Sequence, residues 1–154
     1  MIKTVDFISS SRMEAMQGDK HLAVISITDP DSSDTKISNE FGPVLRLKFD
    51  DLDADNLAAG SIGKVFARSD AEKIASFLDM VDRETNLQGV IINCEMGRSR
   101  SGAIAWFALS YGGVMANERR IDGFNPLVLE ALESVRARRL LRPSGMLVPA
   151  GFKL

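Results

Sequence analysis

A chain of 154 residues is long enough to bury a core without metal or disulfide staples and too short for two comfortable domains. With 19 Lys+Arg against 21 Asp+Glu and a net charge of -2, it lacks the broad basic excess that draws nucleic acid or anionic membrane. One cysteine excludes an intramolecular disulfide, and one cysteine with one histidine is a poor ligand set for structural zinc. The reducing cytoplasm is the default compartment. Met1 to Phe7 carries Lys3 and Asp6 and lacks the apolar centre of a signal peptide, and no run of about 18 apolar residues occurs. The expectation is one unprocessed domain over residues 1–154, without a membrane span.

Residues 21–28, HLAVISIT, are an apolar run closed by the turn cluster Asp29-Pro30-Asp31-Ser32-Ser33-Asp34, which predicts a buried strand and a loop. Residues 43–49, PVLRLKF, alternate apolar and basic positions and end at Asp50-Asp51, a second strand. Residues 52–68 have no clean period and are expected to form a long loop holding one short element; such loops often serve as lids. A helix is predicted from Ser69, where Ser69 and Glu72 have capping-box spacing, through Ile74, Phe77, Leu78 and Val81 to about Thr85-Asn86. Residues 89–93, GVIIN, read as a central strand buried on both faces. Residues 103–111 are apolar nearly all round, so Trp106 and Phe107 are expected in the core, and Gly112-Gly113 stop this helix. Pro126 suits a first helical turn that continues to about Leu141, with a tail from Pro143. Alternating strands and helices predict an α/β fold with a mostly parallel central sheet flanked by helices.

Chemistry concentrates in residues 90–105, VIINCEMGRSRSGAIA, which run strand, loop, helix. In open α/β sheets ligands bind beyond the carboxyl ends of strands, where a helix N-terminus offers unpaired N–H groups to an anion. Gly97 permits the curl that makes successive N–H groups converge, and Arg100 brings a planar fork matching two phosphate oxygens. The field that binds phosphate also favours a thiolate at Cys94, and Ser101 can donate its hydroxyl to that sulfur. A lone cysteine after a buried strand is more often a small core residue; its joint occurrence with Gly97, Arg100 and Ser101 reverses that weighting.

This Cys-x5-Arg-Ser loop resembles the signature of the cysteine-based protein tyrosine phosphatases, and the flanking layout over about Leu22 to Gly112 is most similar to the small dual-specificity branch. The resemblance implies a tyrosine-phosphatase-like fold and hydrolysis of phosphomonoesters without metal or cofactor. Cys94 would form a phosphocysteine intermediate. Arg100 would bind and stabilise the transferring phosphoryl group, Ser101 would assist the sulfur as leaving group, and Glu95, Met96, Gly97, Arg98, Ser99 and Arg100 would cradle the phosphate. It also implies a general acid on the loop after the second strand, best matched by Asp51, with Asp50 next and Asp53 and Asp55 behind. Such an acid typically contributes ~10²–10⁴-fold.

One departure stands out. The family usually places His before the cysteine, where this chain has Asn93; an amide can still donate a hydrogen bond to order the loop, so a functional but slower enzyme is expected. His21 reads as a strand-start residue, and Arg98 either adds charge at the mouth or is merely solvated. Arg136, Arg138, Arg139 and Arg142 suit a helix C-terminus, or a phosphorylated partner. The expected partner is a phosphorylated protein or a small phosphomonoester, and neither nucleic acid nor a membrane. Two other readings remain open: an inositol-phosphate or phosphoinositide phosphatase of the same chemistry, and a phosphate-binding module without turnover.

Overall fold

The computed structural model describes residues 1–116 and 120–140. Five parallel strands form one sheet in the order β3-β2-β4-β1-β5: β1 Thr4–Ser9, β2 Leu22–Thr28, β3 Val44–Lys48, β4 Gly89–Cys94 and β5 Val114–Met115. Helices α1 Ser10–Glu14, α2 Ala54–Ala58, α3 Arg68–Arg83, α4 Arg100–Leu109 and α5 Pro126–Leu140 complete an α/β architecture whose sheet is entirely parallel. None of the described helices is long and apolar enough to cross a membrane.

Strand β4 is buried along its whole length because β2 and β1 flank it and both its faces are covered. Val90, Ile92 and Cys94 face the main core with Ile74, Leu78 and Val81 of α3, Ala103, Ile104 and Phe107 of α4, and Val128 and Leu132 of α5. Ile91 faces a smaller core with Ile8, Met13, Val24 and Phe41. Alternation along the strand therefore puts Cys94 and Asn93 on opposite faces.

Strands β1 and β5 are additions to the sequence reading. Asp6 interrupts the apolar run of β1, yet it is buried and its Oδ1 accepts the Phe7 N–H at 2.9 Å. The α3 cap differs as well: the helix begins at Arg68, and Asp70 rather than Ser69 closes it by accepting the Ala67 N–H at 2.9 Å, while Glu72 pairs with Arg68. Helix α4 starts three residues before the expected position. Phe107 is in the core, but Trp106 is 49% exposed and stacks on Phe124. In place of a plain helix-end charge, Arg139 pairs with Asp79 of α3, and Arg136 lies over the Phe107 ring. Arg142 and the expected tail 143–154 fall outside the described residues.

Asp79 also accepts the Tyr111 hydroxyl at 2.6 Å, joining α3 and α5 to the turn that follows α4. Burial and then the Asp79 carboxylate push the Tyr111 phenol well above its ordinary value. The folded protein thus keeps a proton that the unfolded chain releases near pH ~10, so this contribution is complete below about pH 10 and fades as the pH rises further. Tyr111→Phe is expected to cost about 1 kcal/mol at neutral pH and to flatten the alkaline decline. Tyr111 is the chain's single tyrosine, so urea melts on both sides of pH ~10 isolate it; parallel declines for the two proteins would contradict this.

Candidate functional site

The segments after β1, β2, β3 and β4 converge at one end of the sheet, the end where parallel sheets bind ligands. Cys94 ends the central strand, 2% exposed, and the five following residues lead into α4. Its sulfur lies 3.1 Å from the Ser101 hydroxyl in the first turn of that helix. Gly97 sits at φ 66°, and its α-carbon is so close to the end of β1 that a Cβ would overlap Ser9 N and the Ile8 carbonyl. The Ser10 N–H, at the start of α1, donates to the Glu95 carbonyl at 3.3 Å, a second tie between the loop and the segment that ends β1. The backbone N–H groups of Met96, Arg98, Ser99 and Arg100 donate to no backbone carbonyl among the described residues. These donors, with the positive end of a ten-residue helix, suit an anion.

Arg100 is 4% exposed. One terminal nitrogen, Nη1, donates to Asp29 Oδ1 at 2.6 Å and to the Phe49 carbonyl at 2.8 Å, whereas Nε is buried without a partner. Such an orphaned charged donor is costly, and an anionic oxygen would satisfy it.

Among the four acidic candidates, only Asp51 reaches the loop: its Oδ1 accepts the Ser99 hydroxyl and the Asn125 side-chain amide, both at 2.8 Å. Asp50 instead clasps the base of its own loop, exchanging hydrogen bonds with the Lys64 backbone at 2.7 and 2.8 Å. Asp53 caps α2 in a reciprocal pair with Asn56, and Asp55 is exposed in its first turn. The short element expected within the long loop 52–68 is a helix, α2, and Asp51 just before that loop lies against Ser99.

The remaining loop residues diverge. Met96 is 80% exposed. Arg98 turns aside to pair with Asp122 at 3.5 Å. Glu95 lines an acidic cavity of about 200 Å³ with Glu14, Asp29 and Asp34. Asn93 acts away from the thiol: its side-chain amide donates to Ser10 Oγ at 3.2 Å and Thr35 Oγ1 at 3.4 Å, bracing the first helix and the segment after β2. His21 stands immediately before β2, with Nδ1 2.8 Å from the Asn86 carbonyl.

Two contributors were not singled out in the sequence. Asp29 is Arg100's counter-ion, but its Asp-Pro context reads as a turn. Asn125 caps α5 by accepting the Leu127 and Val128 N–H groups, and donates to Asp51 and, at 3.0 Å, to the Leu52 carbonyl. An Asn directly before a first-turn proline is the signal that could have marked it. Comparison with protein-family models, curated proteins and solved structures finds no match.

Proposed function

We propose that this protein is a phosphomonoesterase working through a phosphocysteine intermediate, with an aryl phosphate such as phosphotyrosine as the preferred substrate class and phosphoserine or phosphothreonine also accessible. The observation that carries the reading is the buried, unpartnered Nε of Arg100 in the loop that begins at Cys94. Asp29 compensates the charge but leaves this N–H without an acceptor, which a phosphoryl oxygen would supply.

In the first step the Cys94 thiolate attacks phosphorus; the P–S bond forms as the bond to the leaving oxygen breaks, and the Asp51 carboxyl gives that oxygen its proton. In the second step Asp51 takes a proton from water, whose oxygen attacks phosphorus. The P–S bond breaks, inorganic phosphate departs, and the Ser101 hydroxyl stabilises the returning thiolate. Arg100 and the loop N–H groups bind the equatorial oxygens throughout, where charge accumulates. A monophosphate suits these surroundings better than a polyphosphate, because Arg98 is paired with Asp122 and Glu95 borders an acidic cavity.

Hydrolysis of p-nitrophenyl phosphate in EDTA, from about pH 5 to pH 8, tests the reading. Turnover should survive the chelator, fall ~10²-fold or more in Asp51→Asn, and change little in Asp50→Asn, which keeps an acceptor for Lys64. No wild-type turnover across that range would sink catalysis and leave a phosphate-binding module. Equal losses in both Asp variants would remove the role given to Asp51.

A further inference from the structure

We propose that Asp29 is a positioning residue for phosphoryl transfer, tethering the Arg100 guanidinium by one nitrogen so that its other N–H groups are left for the phosphoryl oxygens; this rests on the phosphatase reading of the loop. Two acceptors from the ends of neighbouring strands converge on Nη1: the Asp29 carboxylate just past β2 and the Phe49 carbonyl just past β3. An arginine side chain has several rotatable bonds, and fixing one terminal nitrogen from two directions removes much of that freedom before substrate arrives. The contact is one-pronged. A two-pronged pair would have consumed a second guanidinium nitrogen, whereas here Nε stays without a partner although the Arg100 side chain is only 5% exposed. Among the described residues Asp29 is the sole carboxylate paired with Arg100, so it also offsets the cost of burying that charge while the loop is empty.

The opposite role, a carboxylate competing with phosphate for Arg100, gives the opposite result. Asp29→Ala, Asp29→Asn and Asp29→Glu in the full chain are compared for kcat and KM on p-nitrophenyl phosphate and for inhibition by orthovanadate and by inorganic phosphate. Vanadate adopts the five-coordinate geometry of the transition state, so a misaligned Arg100 should weaken vanadate more than phosphate. Asp29→Ala is expected to lower kcat about 10- to 100-fold, and Asp29→Asn, which keeps an acceptor oxygen, should recover part of that loss. Unchanged or tighter vanadate binding in Asp29→Ala overturns the proposal. So does an equal weakening of both anions with slower Cys94 alkylation, the pattern of a general structural fault. If the wild type binds vanadate without turning substrate over and Asp29→Ala still loses vanadate selectively, the tether stands and the catalytic reading falls. A wild type that binds neither anion overturns both.

Discussion

Cys94→Ser is expected to lower p-nitrophenyl phosphate turnover by roughly 10⁵–10⁶-fold while leaving phosphate binding and thermal stability nearly unchanged. The exchange is close to isosteric, and a hydroxyl at this position can keep the 3.1 Å contact with Ser101. It removes only the atom proposed to form and release the bond to phosphorus, since an alcohol is a far weaker nucleophile than a thiolate at neutral pH. The Arg100 fork and the loop N–H groups are untouched, so phosphate is expected to protect the variant and the wild type equally against thermal unfolding. Steady-state rates and phosphate-dependent melting curves together read both halves of this expectation. Retained turnover would show that Cys94 is not the nucleophile, and loss of phosphate binding would show that the thiol is part of the cradle rather than its reactant.

The second large effect belongs to Gly97. Gly97→Ala imposes two separate penalties: a left-handed backbone conformation at φ 66°, and a methyl group driven into the backbone of Ile8 and Ser9. The first costs about 1 kcal/mol; the second must displace either the loop or the end of an interior strand, so a total of about 2–4 kcal/mol is expected, with anion binding lost. Gly60→Ala is the internal control, because Gly60 has φ 87° and open space where its Cβ would sit, and it should cost only about 1 kcal/mol. Denaturant titrations of the two variants separate conformation from collision. Equal costs would mean that the loop is not pressed against β1 tightly enough to matter.

Much of this site is legible in the sequence wherever local pattern and tertiary role coincide. The β-branched run 89–93 marks the central strand because burial on both faces leaves no polar alternation to blur it, and β4 extends one residue further to Cys94. The spacing of Cys94, Gly97, Arg100 and Ser101 is local, and the structure puts Cys94 beside Ser101. Asp51 likewise stands out from its acidic neighbours once their own bonds are seen. What escapes is long-range or masked by composition. Asp29 and Asn125 look like turn and cap residues, which they are; their second roles depend on partners 71 and 74 residues away. β1 hides behind Asp6, and β5, with two residues, is too short to show any period.

The placement of β1 has a consequence for how the molecule is made. Thr4 pairs with Gly89 and Ser9 with Cys94, so β1 has its slot between β4 and β5 and, once it leaves the ribosome, must wait some 85 residues for its β4 neighbour. At ~5–20 residues per second that delay is several seconds, during which an apolar segment with free edges is open to pairing with the wrong strand or with another chain. Because the loop at Gly97 is pressed against the same strand, the loop from Cys94 to Arg100 cannot take its final shape before that late insertion. The shape of this loop is therefore a sensitive reporter of completed folding in this chain: any nascent or refolded population with β1 still outside the sheet would lack the backing that Ile8 and Ser9 give to Gly97.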